Sequence, residues 1–270
     1  MTAIALTIAG SDSGGGAGIQ ADLKTFSALG VYGTSVLTAL TAQNTQGVSA
    51  IHDVPADFIT AQIDAVFSDI DVDAVKIGML SQVATIEAVA KGLREHQPKS
   101  IILDPVMVAE SGDPLLAESA VSALVTHLFP LADLITPNLH EAARLLGCDM
   151  ANDRSAMEEQ AQALISLGAK AVLLKGGHAE GKDASDVLLI AGQEPVWLTA
   201  PFVDTKNTHG TGCSLSSAIA AECAKGTNLV EATQAAKSWL SQAIAHADSL
   251  SIGKGAGPVH HFHALWKAHK

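Results

Sequence analysis

The feature that most constrains this chain is a repeated change of hydrophobic period. Short aliphatic and β-branched runs alternate with longer stretches of helical spacing along almost its whole length. Strands are predicted at residues 4–9, 35–40, 74–77, 100–103, 134–135 and 171–174, with helices at 19–29, 56–67, 83–95, 115–128, 139–146, 155–167, 211–224 and 229–247. The runs at 187–190 and 196–198 read as a hairpin with Gly192 near its turn. Strands alternating with helices build parallel βαβ units, whose sheet is covered on both faces. The expected fold class is therefore α/β, with a mostly parallel central sheet between helical layers. No linker, low-complexity run or repeat divides the chain, so residues 1–270 are read as one domain.

Composition fits such a core. Hydrophobic residues make up 48% of the chain and aromatic ones only 4%, so the interior must be built mainly from Ala, Val, Leu and Ile, and a disordered chain is excluded. Sixteen basic residues against 28 acidic ones leave a net charge of −12. That balance argues against general nucleic-acid binding, which needs basic patches, but not against one locally positive site for a small anion. No apolar run approaches the ~18 residues of a membrane helix. Asp12 follows the first apolar stretch, which has no basic residues before it, so no signal peptide is expected. Cys148, Cys213 and Cys223 form no CxxC pair, and a cytoplasmic protein with reduced thiols is expected.

In parallel α/β sheets, ligands sit beyond the carboxyl ends of the strands. The polar and glycine-rich segments of this chain fall there. Gly10-Ser-Asp-Ser-Gly-Gly-Gly-Ala-Gly18 joins a strand to a helix, where glycines let the backbone approach a ligand. It is not a dinucleotide fingerprint, because the spacing from Gly14 places Ile19 where the third glycine belongs. Nor is there a phosphate loop of the Walker type, since Lys182 and Lys254 are followed by Asp183 and Gly255. Asn207-Thr-His-Gly-Thr-Gly-Cys213 is the sharpest signal. Gly210 and Gly212 flank Thr211 at a predicted helix start, where unpaired N–H groups and the helix dipole make an anion hole. A thiol in that first turn, Cys213, is expected to have a lowered pKa and to act as base or nucleophile. Asn138 and Glu141, three apart, can hold hydrated Mg²⁺ beside a polyphosphate, although the same pair also reads as a capping box. Asp104 at a strand end can add a carboxylate, and Lys175 can reach a phosphate as a mobile charge. Asp69 to Asp73 fails as a calcium loop, because Ala74 and Leu80 stand where Gly and Glu are required. His260, His261 and His263 are read as a polar end of the chain, and Cys148 as structural.

Taken together, Ala9 to Lys24, Thr41-Ala-Gln-Asn-Thr45, Lys76-Ile-Gly-Met-Leu80, Asp104-Pro-Val-Met107, Thr136-Pro-Asn-Leu-His-Glu141, Lys175-Gly-Gly-His178 and Asn207 to Cys213 resemble the hydroxymethylpyrimidine/phosphomethylpyrimidine kinases of thiamine biosynthesis. These belong to the ribokinase superfamily. The resemblance implies a three-layer α/β/α fold with a small β-flap, usually as a homodimer. It implies ATP-dependent phosphorylation of 4-amino-5-hydroxymethyl-2-methylpyrimidine to the monophosphate and then to the diphosphate. By the same resemblance Gln43 reads the pyrimidine edge with Asp22 as a polar neighbour, and Met79 and Val106 line the pocket. Gly210, Thr211 and Gly212 form the anion hole, with Cys213 where many sugar-kinase relatives carry Asp. Asn138 and Glu141 match the metal–phosphate motif, with Asp104 nearby and Lys175 on a phosphate. Ser214 departs from an expected Thr but keeps the hydroxyl. Three alternatives stand beside this reading: a pyridoxal kinase of the same superfamily, a catalytically silent vitamin-binding module, and a hydride-transferring enzyme.

Overall fold

A computed structural model of the chain describes residues 2–108, 118–177 and 183–266. In chain order the elements are β1 (Ile4–Asp12), α1 (Gly18–Ala28), β2 (Tyr32–Asn44), β3 (Gly47–Asp53), α2 (Ala56–Phe67), β4 (Ala74–Ile77), α3 (Val83–His96), β5 (Ile101–Leu103) and α4 (Glu118–His127). They continue with β6 (Leu134–Ile135), α5 (Leu139–Leu146), α6 (Arg154–Ser166), β7 (Ala171–Lys175), β8 (Asp183–Ile190), β9 (Val196–Pro201), α7 (Thr211–Ala224) and α8 (Leu229–Ala245). The strands form one sheet in the order β3-β2-β1-β4-β5-β6-β7-β8-β9. The six strands from β2 to β7 in that order are mutually parallel. β3 pairs antiparallel with β2 at one edge, and β8 and β9 run antiparallel at the other. The α/β expectation is met, and the β2–β3 pair supplies the β-flap.

Strand parity sorts the interior into two layers, because successive side chains leave a strand on opposite faces. Leu6, Ile8, Val75, Ile77, Ile101, Leu103, Val172 and Leu174 pack against α2 to α6. Ala5, Ala74, Ile102, Leu134, Ala171 and Leu173 face α1, α7 and α8. Small residues of α7 (Ala218, Ala220, Ala221) let that helix lie close to the sheet.

Several local expectations are corrected. β2 runs on to Asn44 and turns into β3, a strand that sequence periodicity missed. Residues Ala50, Ile51 and His52 of β3 are exposed, so it carries no clear apolar alternation. His260 and His261 are buried rather than part of a polar tail. Ring contacts join His261 and His263 to Trp239, and burial pushes the His261 pKa down to about 3. Cys148, read as structural, is exposed, and its sulfur accepts from Gln160 Nε2 at 3.4 Å. Among the described residues no helix is long and apolar enough to cross a membrane.

Candidate active site

The chain turns to the other side of β1 after β3, so β1 and β4 flank a topological switch point. A cavity of ≈ 160 Å³ opens at the carboxyl ends of these strands. The sequence-predicted residues Gln43, Met79, Val106, Asp104, Asn138, Glu141, Lys175, Gly210, Thr211, Gly212 and Cys213 all line it. Asp22 does not. It is fully buried beneath the cavity, where Lys76 Nζ reaches both of its carboxylate oxygens at 2.9 Å. Asp22 is therefore a partner of Lys76 and not a neighbour of a ligand in the cavity.

The start of α7, read from the sequence as an anion hole, lines the cavity with its first turn. Gly210 caps the helix with φ 82°, a left-handed backbone open to glycine. The first i→i−4 bond runs from Ser214 N–H to the Gly210 carbonyl, so the Gly212 and Cys213 amides precede the internal ladder. A Cβ at Gly212 would lie 3.3 Å from Lys175 Nζ and 3.5 Å from Asp104 Oδ2, so this backbone borders the charged groups directly. Ser214 Oγ is 3.0 Å from His261 Nε2 and ties the helix start to the C-terminal segment.

Charge is dense around this helix end. Lys175 Nζ donates to Asp104 Oδ1 at 3.0 Å, and Thr136 Oγ1 donates to the same oxygen at 2.9 Å. Burial alone would raise the Asp104 pKa, but Lys175 and Lys76 outweigh it and hold the carboxyl below its ordinary value. Burial likewise opposes the charge on Lys175, yet Asp104 and Glu141 raise its pKa overall. Glu141 behaves differently: burial lifts its pKa to about 7 against the pull of Lys175. Asn138 and Glu141 form a reciprocal capping box, Glu141 N–H to Asn138 Oδ1 and Asn138 N–H to Glu141 Oε2, both at 2.8 Å. The capping box and the cavity-lining role therefore coexist.

Cys213 corrects an expectation. Its pKa is raised to about 11, because burial outweighs the favourable charge of Lys76, while Asp22 and Asp104 add to the rise. Its position fits the reading better than its acidity: the half-buried sulfur lines the cavity and accepts from the Gly18 N–H at the start of α1.

Sequence reasoning passed over the residues that hold the glycine-rich segment in place. Asp12 accepts from the N–H groups of Gly14, Gly16 and Ala17 at 2.8, 3.0 and 2.8 Å. Its Oδ2 also lies 2.9 Å from His209 Nε2. Burial would raise the Asp12 pKa, but His209 and these amides bring it below its ordinary value. Asp12 sits inside a glycine run and His209 two residues ahead of Thr211; the available signal was polarity within segments already singled out. On the opposite wall Ser13 Oγ bonds Gln43 backbone atoms at 2.7 and 2.8 Å, and Thr41 Oγ1 donates to Gln43 Oε1 at 3.1 Å. A second cavity of ≈ 300 Å³ shares Asn138, Lys175, Thr211 and Gly212 with the first and continues over Phe202, Leu215, Leu240 and Ile244. The two cavities thus meet at the start of α7, one lined by most of the charged groups and the other more aliphatic.

The phosphomethylpyrimidine kinase family model matches residues 12–260. The chain belongs to that family. It is 60% identical over 267 residues to the hydroxymethylpyrimidine/phosphomethylpyrimidine kinase of Rhizobium meliloti, covering 99% of this chain and 100% of the relative. It is 55% identical to the Escherichia coli enzyme of the same name, covering 97% and 98%. Among solved structures, the ADP complex of Bacillus subtilis pyridoxal kinase superposes with a TM-score of 0.91 at 40% identity, covering 99% of this chain and 100% of that one. Phosphomethylpyrimidine kinase from Clostridium difficile gives 0.78 at 44% identity, covering 89% and 99%. The geometry of this family member separates two glycines at the start of α7. A Cβ at Gly210 would stand 1.8 Å from the Gly16 carbonyl oxygen on a left-handed backbone, so Gly210→Ala should cost more than ~1–2 kcal/mol of stability, read from urea unfolding. Gly212→Ala places its methyl 3.3 Å from Lys175 Nζ, the far end of a flexible side chain that can give by a few tenths of an ångström; it should fold and yet raise KM for ATP about tenfold.

Proposed function

We propose that this chain uses ATP to phosphorylate the hydroxymethyl group of 4-amino-5-hydroxymethyl-2-methylpyrimidine, and then the monophosphate to the diphosphate, for thiamine biosynthesis. The observation that carries the reading is one chamber in which a fixed carboxamide, Gln43, and an anion hole at α7 with Cys213 face the same space. Gln43, Met79 and Val106 would hold the pyrimidine, with the Gln43 amide on its edge. The triphosphate would lie across Gly210, Thr211 and Gly212 with Lys175 and Asn138 beside it, its base reaching toward the aliphatic second cavity. ADP and AMP-PCP complexes of pyridoxal kinases with this fold support the use of ATP.

Phosphoryl transfer needs mainly positioning and charge stabilisation. In the first step the substrate hydroxyl gives its proton to the ionised form of Cys213, a minority state in the free protein because burial raises the thiol pKa to about 11. The oxygen then bonds the γ-phosphorus, and the bond to the β,γ-bridging oxygen breaks as ADP departs. The backbone amides at the start of α7 and the Lys175 ammonium take up the charge on the migrating group. In the second step the acceptor is already an anionic phosphate, so no base is needed.

Hard oxygen donors from Glu141 and Asp104 fit a Mg²⁺ ion, directly or through water. Glu141 is a buried acid with a pKa near 7, so a neighbouring dication would offset the cost of its charge. A bound Mg²⁺ would supply charge neutralisation on the phosphates. We read the protein as a cytoplasmic, single-domain homodimer. Three free cysteines support the reducing compartment, and the apolar residues Tyr32, Leu40, Ile51 and Phe58 exposed on β2, β3 and α2 support self-association.

A second reading, pyridoxal kinase, draws on the 40% identity to the Bacillus subtilis enzyme, since pyridoxal also carries a hydroxymethyl group on a nitrogen ring. Incubation with ATP, Mg²⁺ and each alcohol, with products resolved by mass, tests the two. The pyrimidine should be preferred in kcat/KM and should yield a diphosphate; pyridoxal preference without a diphosphate would favour the second reading. In the same assay Cys213→Ala should slow the first phosphorylation by ~10²-fold or more and spare the second, as expected for loss of a general base. Equal losses in both steps would remove the base role. Glu141→Ala should raise the Mg²⁺ concentration needed for half-maximal rate, whereas an unaltered titration would leave Glu141 as a helix cap alone.

A further inference from the structure

A fully buried lysine inside an apolar layer calls for a physical reason. Strand parity points Lys76 of β4 into the layer between the sheet and helices α1 and α7, beside Ala74, Ile102 and Leu134. Its register partner on β1 is Thr7. Both meet Asp22 of α1: Lys76 Nζ at 2.9 Å from each oxygen, and Thr7 Oγ1 at 2.6 Å from Oδ2. Ser217 of α7 donates to Asp22 Oδ1 at 2.7 Å. The sequence would tolerate an apolar set here, since buried ion pairs are often no more stabilising than well-packed hydrophobic residues.

The location of the ammonium supplies the reason. Lys76 lines the same cavity as Cys213 even though it is buried. Cys213 and Ser217 are four residues apart on α7 and so share one face, and Ser217 touches Asp22. Ser217, one helical turn from Cys213, thus holds the Asp22 that locks Lys76. The charged groups with the largest effect on Cys213 are Lys76 on β4, Asp22 on α1 and Asp104 after β5; Lys175 at the end of β7, Glu141 of α5, and Asp12 with His209 line the same cavity. Of these Lys76 has the largest favourable effect on the thiolate, against burial and the two carboxylates.

We propose that Lys76, locked by Asp22, is an electrostatic positioning residue: its ammonium is the resident counter-cation for negative charge on the Cys213 sulfur during phosphorylation of the alcohol. This rests on the base role of Cys213. Asp22 and Thr7 fix the ammonium so that it neither leaves the chamber nor pairs with incoming phosphates. The thiolate accepts the hydroxyl proton and becomes a neutral thiol, and Lys76 keeps its own proton throughout.

The test uses the intact chain with Cys148 and Cys223 replaced by Ser, and follows iodoacetamide alkylation of Cys213 against pH without nucleotide. Lys76→Met should move the alkylation midpoint upward by about one pH unit or more, since a nearby cation favours the thiolate. Lys76→Arg, which keeps the charge, should hold the midpoint near its original place. In single turnovers Lys76→Met should slow the first phosphorylation at least tenfold more than the second. An apolar pair, Lys76→Met with Asp22→Leu, guards against misfolding and should still be slow in the first step alone. An unmoved midpoint in folded Lys76→Met, or a wild-type first step in the double variant, would overturn the proposal. Because alkylation needs no ATP, its outcome is independent of whether Cys213→Ala spares the second step.

Discussion

Two loops meet backbone to backbone at the centre of this molecule, and the site depends on that contact. The Gly210 Cα lies so close to the Gly16 carbonyl that a single methyl group would collide with it. The Asp12 carboxylate takes up the amides of the glycine run on one side and the His209 ring on the other. The glycine-rich segment after β1 and the cap of α7 are thus one rigid unit, although about 200 residues separate them in sequence. That unit brings the Gly18 amide to the Cys213 sulfur and sets the distance between the β2 wall of the chamber and the start of α7. A site that transfers a group between two bound molecules needs this kind of fixed spacing, since small misplacements are expensive in rate.

Around that unit the electrostatics are arranged in two tiers. Lys175, Asp104 and Glu141 line the cavity beside the start of α7, and their pKa values are pushed apart by burial and mutual attraction. Lys76 and Asp22 form a lower tier under α7, closed off by Thr7 and Ser217. Cys213 sits between the tiers. Burial leaves its thiol hard to ionise in the free protein, so its chemistry is governed by which cations stand near it. The same low dielectric that penalises the thiolate makes each neighbouring cation count for more than it would in water.

Much of this was legible before any coordinates. Strongly periodic segments such as α2 and α5 appear where their spacing placed them, because each has one apolar face to bury. The glycine-rich motifs were recognisable since only glycine serves where a backbone must turn left-handed or come close to another chain segment, as at Gly18 and Gly210. β3 escaped detection because it is an exposed edge strand with no buried stripe. Asp22 was assigned to the chamber, yet α1 turns it toward Lys76, and nothing in the local pattern distinguishes a cavity-facing carboxylate from one that neutralises a buried lysine. The expected acidity of Cys213 failed for a related reason. A helix start lowers a thiol pKa, but the depth of burial, which sequence does not carry, reverses the sign.

The sequence by itself determined the α/β alternation, the glycine positions and the family, because local period and backbone sterics act over a few residues at a time. Tertiary structure alone decided which polar residues share a chamber, which are locked beneath it and how readily each ionises. Those properties come from the joint effect of burial and of charges brought together from distant strands, and neither has a value until the sheet has closed around them.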